Sequence, residues 1–237
     1  MHIFYLHGFA SSAKSTKAGF FAARLRAHGI TLHTPDLNQP DFTTLTVSRM
    51  VDQVTQAIVA VPEGGVTLIG SSLGGFVAVQ TAVQGSEDLG PGNPENRRHP
   101  GTERNRKHPI ERMVLLAPAL EFLGNRTRDL GDRGLEEWQA SGHLDVFHYG
   151  YGRRLPVHYG LYTDACGYDC VNAALPMPIQ VFQGRNDTAV DPHSVEQWAR
   201  ARSNVELHLL DDDHQLTASL EHIWSEMSRF LGLARRY

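Results

Sequence analysis

The clearest chemical pattern in this 237-residue sequence is a serine flanked by glycines, Gly70-Ser-Ser-Leu-Gly74. The run Val66-Thr-Leu-Ile69 before it predicts a buried strand, and the residues after it predict a helix. So tight a turn from strand to helix would hold Ser72 at strained dihedral angles and project its side chain outward, as a nucleophile requires. Glycine is needed two positions to either side because a larger side chain would collide with neighbouring backbone.

A serine hydroxyl is a weak nucleophile at neutral pH and needs a general base. Among the 13 histidines, His214 comes shortly after the last predicted strand, Val205–Leu210, on a loop that would reach the carboxyl edge of the sheet. His214 is therefore the predicted base. His222 falls within a helical pattern and is predicted to lie at the surface. Three others belong to a predicted lid: His143, His148 and His158.

The base in turn needs a carboxylate that fixes its tautomer and stabilises the imidazolium. Asp187 is favoured because it comes shortly after the predicted strand Ile179–Phe182. Asp191 is the alternative, but Asp191-Pro192 is typical of an N-cap followed by proline at the first helical position. The three aspartates at 211–213, beside His214, are predicted to form a solvated loop edge.

An oxyanion that develops at the serine needs two N–H donors. The backbone N–H of Leu73, at the start of the predicted helix, is one predicted donor. The other should come from the loop after the first strand, where Gly8 lets the backbone approach the substrate and the N–H of Phe9 is the candidate. His7 is predicted to hydrogen-bond loop backbone and to border the substrate pocket, without acting as a catalytic base.

Short apolar runs alternate with amphipathic segments along the chain, which is typical of a parallel sheet with helices on both faces. Apolar residues recur at helical spacing over 18–25, 47–58 and 216–230. We predict a three-layer α/β fold with a mainly parallel sheet of about six strands and a small lid insertion. The predicted strands contain residues 3–6, 30–34, 66–69, 113–116, 179–182 and 205–210.

Two insertions interrupt this alternation within what we expect to be a single domain over residues 1–237. Residues 85–109 are polar and rich in glycine and proline, and we predict a surface loop there. Residues 121–175 are predicted to form a lid, with a short helix near 135–139 and a β-hairpin around 150–154. The hairpin covers a crevice at the strand ends, or it covers only the sheet edge. Three tyrosines line a pocket beneath it or simply pack it against the sheet: Tyr149, Tyr151 and Tyr159.

Composition excludes several classes of protein. The net charge of −4 is unlike that of a nucleic-acid-binding domain, which is usually basic. No apolar run of about 18 residues is long enough to span a membrane, and the first residues lack the pattern of a signal peptide, so we expect a cytoplasmic protein without a membrane partner. Cys166 and Cys170 are too few for a structural zinc site and are expected to be free thiols; no metal is predicted.

Because these residues follow the chain order Ser, Asp, His, the sequence resembles the α/β-hydrolase superfamily, whose triad has the same order. It is similar in particular to the small YqiA-like esterases. The matching segments are Tyr5-Leu-His-Gly-Phe-Ala-Ser-Ser, Ser15-Thr-Lys17, Thr34-Pro-Asp-Leu37, Gly70-Ser-Ser-Leu-Gly-Gly75 and Phe230-Leu-Gly232. The resemblance implies hydrolysis of carboxylic esters or thioesters without a cofactor, with Ser72, Asp187 and His214 as the triad. The polar insertion at 85–109 departs from these compact relatives.

The sequence therefore predicts a serine hydrolase that acts on a small-molecule ester or thioester through an acyl-enzyme on Ser72. An acyltransferase or perhydrolase with the same triad is the alternative, because the acyl group can pass to an acceptor other than water. A non-catalytic binding protein on this fold is a third possibility, although such proteins usually lose a triad residue.

Overall fold

The computed structural model describes residues 1–87 and 107–233. Its strands are β1 His2–Leu6, β2 Leu32–His33, β3 Val66–Ser71, β4 Ile110–Leu116, β5 His143–His148, β6 Arg153–His158, β7 Ile179–Gly184 and β8 Val205–Leu210. Six of them form one sheet in the order β2-β1-β3-β4-β7-β8, with every neighbouring pair parallel. Strands β5 and β6 pair as a separate antiparallel hairpin. The predicted parallel sheet is confirmed.

The helices of the described residues connect these strands. They are α1 Thr16–Arg26, α2 Val47–Val59, α3 Leu73–Glu87, α4 Phe122–Ser141, α5 Gly160–Ala165, α6 Pro192–Arg200 and α7 Leu220–Phe230. Side-chain caps start three of them: the side chains of Ser15, Thr46 and Asp191 each accept a backbone N–H from the first turn of the helix that follows. None of these helices is long and apolar enough to cross a membrane.

The sheet carries a separate hydrophobic core on each face. Alternate residues of β1 divide between them, so that Phe4 and Leu6 join one core while Ile3 and Tyr5 join the other. The first core is covered by α2, α3 and α6, and the second by α1 and α7. This is the three-layer arrangement that the alternating sequence pattern predicts.

Three local predictions differ from the structure. Strand β2 has only two residues, as an edge strand with one neighbour. The helix predicted near 135–139 belongs to the longer α4, which contains a kink at Gly131 with φ of 64°. The last helix begins at Leu220, because Leu216 adopts a left-handed φ of 55° and is buried in the preceding loop. Most of the predicted loop at 85–109 lies outside the described residues. Both cysteines are free, as expected.

The turn from β3 to α3 is packed against the end of β1. Ser72 forms the turn with a φ of 54°, and its N–H donates to the carbonyl of Leu116 at 2.9 Å. A Cβ at Gly70 would lie 2.5 Å from the carbonyl oxygen of Gly74, and a Cβ at Gly74 would lie 2.1 Å from that of Leu6. Both glycines are therefore required by close backbone contact, as the sequence predicts.

Residues 122–165, which contain α4, the β5–β6 hairpin and α5, form a cap joined to the first core. Trp138 of the cap is only 2% exposed and belongs to that core. The carboxylate of Asp164 accepts the backbone N–H of Ser48 at 2.9 Å, which attaches α5 to the start of α2. At the hairpin tip, the N–H of Gly150 donates to the carbonyl of Ala10 at 3.4 Å. The cap thus meets the loop that follows β1.

We expect Gly74→Ala to disrupt this turn, because its Cβ would meet backbone that cannot move aside. The melting temperature should fall by several degrees, which corresponds to a loss of about 1–3 kcal/mol for an overpacked site. Gly19→Ala is the matched control. Gly19 lies within α1, and a Cβ added there would have no neighbouring atom within 4 Å, so alanine should stabilise the helix. Equal melting temperatures for both variants would contradict the packing described for the turn.

Candidate active site

Three side chains that are far apart in sequence meet at the carboxyl edge of the sheet. Ser72 follows β3, Asp187 follows β7 and His214 follows β8. The Nε2 atom of His214 lies 3.1 Å from Ser72 Oγ, and its Nδ1 atom lies 2.8 Å from Asp187 Oδ2. If Nδ1 carries the proton and donates to the carboxylate, Nε2 presents a lone pair to the serine hydroxyl. The structure therefore brings together the serine, histidine and aspartate that the sequence singles out.

Asp187 is held in its ionised form by four hydrogen-bond donors. Its Oδ1 accepts the backbone N–H groups of Ala189 and Val190, each at 2.9 Å. Its Oδ2 accepts from His214 and, at 2.9 Å, from the side-chain amide of Gln183. Burial acts to raise the pKa of Asp187, but these donors, with His214 the largest contributor among them, outweigh it and hold the pKa below its usual value. A charged Asp187 carboxylate would stabilise an imidazolium at His214.

The rival carboxylates have other partners. Asp191 caps α6 by accepting the N–H of His193 at 3.0 Å, as its sequence context predicts. Asp212 is only 8% exposed and accepts the N–H of Ser219 at 2.9 Å, so it ties the loop to the start of α7. The expectation that residues 211–213 form a solvated edge is therefore wrong for Asp212, whose carboxylate satisfies buried backbone.

The two predicted oxyanion donors lie on elements that border Ser72. Leu73 is the first residue of α3, where helix geometry leaves the N–H without a partner inside the helix. The loop after β1 lies against the serine, since a Cβ at Gly8 would come 3.2 Å from Ser72 Cβ. Phe9 follows Gly8 in this loop. The assignment of the N–H groups of Phe9 and Leu73 to an oxyanion hole stays a prediction.

His7 supports the same loop. Its ring is 2% exposed, its Nε2 accepts the backbone N–H of Leu37 at 3.0 Å, and its Nδ1 lies 3.0 Å from the carbonyl of Gly8. Both ring nitrogens therefore contact backbone, in agreement with the structural role expected of this histidine. These contacts fix the approach of Gly8 to Ser72.

The three tyrosines of the predicted pocket occupy two parts of the cap. Tyr149 and Tyr151 lie at the hairpin tip and are 77% and 47% exposed. Tyr159 lies at the hairpin base, where it packs edge-on against Trp138 with ring centroids 5.4 Å apart. The contacts of Tyr159 are thus internal to the cap, whereas the hairpin tip lies beside the loop after β1. A pocket role for the three remains a prediction.

A row of rings links the hairpin tip to Phe9. Phe9 packs against Phe42 with centroids 5.4 Å apart, and Phe42 packs edge-on against His148 at 4.6 Å. Tyr151 then stacks on His148 at 4.1 Å. Phe42 was missed from the sequence because its only signal is a lone aromatic residue in a polar segment.

One group of metal-ligating side chains occurs within residues 1–87 and 107–233. Ligand atoms of Glu206, His208 and Glu226 lie within 4.8 Å of one another. Glu206 and His208 contact each other at 2.8 Å, and Glu226 is paired with Arg229. Each of these side chains has a protein partner, and the cluster lies on β8 and α7, away from the carboxyl edge of the sheet. We therefore do not assign it to the site.

Comparison with known proteins agrees with the fold. The chain matches the model of an uncharacterised protein family, UPF0227, over residues 2–84 and 103–231. No curated protein matches its sequence. A protein from Agrobacterium vitis S4 assigned to the hydrolases superposes with a TM-score of 0.77 and 20% identity, covering 96% of this chain and 87% of that one.

Two further solved structures are similar. Mouse α/β hydrolase domain-containing protein 10 has a TM-score of 0.74 and 18% identity, covering 98% of this chain and 89% of its own. Est1E from Butyrivibrio proteoclasticus, with ferulic acid bound, has a TM-score of 0.70 and 16% identity, covering 97% and 87%. The chain therefore belongs to the family UPF0227 and has the fold of the α/β-hydrolase superfamily.

Proposed function

We propose that this chain is a serine hydrolase that cleaves carboxylic esters, or thioesters, of small molecules. The observation that carries the proposal is the position of His214, within 3.1 Å of Ser72 Oγ and 2.8 Å of the buried carboxylate of Asp187. Nucleophilic catalysis by a serine requires a histidine that contacts both the serine hydroxyl and a carboxylate, and His214 contacts both. The α/β-hydrolase fold and the esterases among its structural neighbours support the same reaction class.

In the first half of the reaction, Ser72 Oγ attacks the acyl carbonyl carbon while its proton passes to His214 Nε2. Asp187 stabilises the imidazolium that forms and keeps its Nδ1–H directed at the carboxylate. The carbonyl oxygen becomes an oxyanion, which the N–H groups of Phe9 and Leu73 would stabilise. His214 then returns the proton to the leaving alcohol or thiol, and the acyl group stays on Ser72.

The second half repeats these steps with water. His214 removes a proton from a water molecule, whose oxygen attacks the acyl carbonyl, and the tetrahedral intermediate collapses when Ser72 Oγ takes the proton back from Nε2. The products are a carboxylic acid and free enzyme.

The cap would provide the wall of the acyl pocket. The hairpin tip contacts the loop after β1 through Gly150 and Ala10, and the row of rings from Phe9 to Tyr151 continues along it. Aromatic rings next to the oxyanion donors would bind an apolar acyl or aryl group. We therefore assign the pocket wall to Tyr151 and the neighbouring Tyr149. Tyr159 packs inside the cap and stabilises it.

We expect Ser72→Ala to lose esterase activity while keeping its fold. Hydrolysis of p-nitrophenyl acetate should fall by about 10⁴-fold or more, because the acyl-enzyme cannot form. A fluorophosphonate probe, which modifies activated serines, should label the wild-type chain at Ser72 and should not label the variant. Hydrolysis by Ser72→Ala at the wild-type rate would overturn the proposal.

The two neighbouring aspartates give a matched test of the carboxylate. Asp187→Ala should lower kcat by about 10⁴-fold, because His214 loses the group that orients it. Asp191→Ala should leave kcat unchanged and cost about 1 kcal/mol of unfolding free energy, because it removes only the N-cap of α6. Steady-state kinetics and urea denaturation on both variants separate the roles. The reverse assignment would appear as a large loss of kcat in Asp191→Ala alone.

The pocket assignment can be tested with p-nitrophenyl esters of increasing chain length. Tyr151→Ala should raise KM for the hexanoyl ester about 5-fold and leave the acetyl ester nearly unchanged, because an aromatic contact contributes about 1 kcal/mol. Tyr151→Phe keeps the ring and should behave like wild type. Equal changes for both esters would show that the hairpin tip does not contact the acyl chain.

A further inference from the structure

Lys17 is a buried lysine beside the loop that carries His214. It lies in the first turn of α1 and is only 8% exposed, although lysine is rarely buried to this extent. Its Nζ atom donates a hydrogen bond of 2.8 Å to the backbone carbonyl oxygen of Gln215. Gln215 directly follows His214, so this contact fixes the backbone next to the base.

The position of Lys17 is itself fixed by its own helix. Ser15 caps α1 by accepting the N–H of Ala18, and α1 packs on the second core through Ala18, Phe21 and Leu25. The short sequence Ser15-Thr-Lys17 follows the loop of Gly8 and Phe9 closely. One helix thus connects the loop after β1 with the loop after β8.

The loop between β8 and α7 is restrained on both sides of His214. Before His214, the backbone N–H of Asn186 donates to the carbonyl of Asp212 and its side-chain amide donates to the carboxylate of Asp211, each at 3.0 Å. Asp213 accepts the N–H of Gln215 within the loop, and Leu216 holds a left-handed φ of 55°. Asp212 reaches Ser219 at the start of α7. The bond from Lys17 to the Gln215 carbonyl joins the loop to α1 at the residue next to His214.

The charges that face Lys17 come mainly from this loop and from the end of β7. Burial lowers the pKa of Lys17 to about 8, against the opposing effect of Asp213, Asp187 and Asp212. The ammonium is therefore charged at neutral pH and loses its proton a little above it. A neutral amine donates a weaker hydrogen bond and is no longer attracted to the three aspartates.

We propose that Lys17 is the positioning residue for the base: its ammonium holds the Gln215 carbonyl so that His214 meets Ser72 and Asp187 together. The inference rests on the proposed function, since it assigns a means of placing the histidine that this function requires. Lys17 does not act on the substrate itself. Its effect on the reaction passes through the backbone of residues 214–215.

This role predicts opposite effects of pH on activity and on stability. Activity should fall as pH rises through about 8, because the bond to Gln215 weakens when Lys17 loses its proton. Stability should rise between about pH 8 and about pH 10.4, because the unfolded chain then binds one more proton than the folded chain. A lysine that serves only the fold would not make activity fall over the range where stability rises.

The test measures the rate at which a fluorophosphonate probe labels Ser72 from about pH 6 to about pH 10. Lys17→Met should label about 10- to 100-fold more slowly than wild type at pH 7, because small displacements of a catalytic group cost about this much. Lys17→Arg keeps a charged donor that does not titrate, so it should recover most of the rate and lose the fall near pH 8. Lys14→Met, at an exposed lysine of the same segment, should behave as wild type.

The outcomes separate this inference from the proposed function. If the probe does not label Ser72 of the wild-type chain, the proposed function fails. If wild-type labelling depends on Ser72 but Lys17→Met labels within 2-fold of wild type, only the role of Lys17 is overturned. Thermal melts identify a variant that does not fold. In that case the wild-type profile decides, and a labelling rate that does not fall between about pH 7 and about pH 9 overturns the inference.

Discussion

The first turn of α3 lies in direct backbone contact with the end of β1, and the rest of the site depends on this contact. Because Gly74 has no side chain, its Cα packs against the carbonyl of Leu6, which is possible only if the chain turns sharply at Ser72. The same approach brings Gly8 against the serine. The nucleophile, the start of a helix and the loop after β1 are therefore placed together by one steric requirement.

The remaining groups reach this point because the sheet is parallel. Strands β3, β7 and β8 all end at one edge, so the residues that follow them meet there although they are far apart in sequence. Asp187 is then buried among donors, and His214 lies between it and Ser72. The hairpin tip of the cap meets this edge at Ala10, through the hydrogen bond from Gly150. The backbone thus determines where the site lies, and the side chains at these positions determine the proposed chemistry.

The sequence predicts those features of the fold and the site whose sequence pattern is local. Ser72, Asp187 and His214 each follow an apolar run within a few residues, so local pattern is enough to propose them. The sequence predicts too short a helix α4 because glycines and polar residues weaken its helical propensity, whereas buried Trp138 stabilises it by tertiary packing. Lys17 lies in a recognisable motif, but its contact with a residue 198 positions away is visible only in the fold.

In the proposed reaction Ser72 carries the acyl group, and the most direct measurement is to trap this acyl-enzyme. The chain is mixed with p-nitrophenyl acetate, quenched in acid within the first turnover and analysed by peptide mass spectrometry. We expect one acetyl group, on the peptide that contains Ser72, and its disappearance as turnover is completed. Hydrolysis that proceeds with no acyl group on Ser72, or with the acyl group on another residue, would contradict the account.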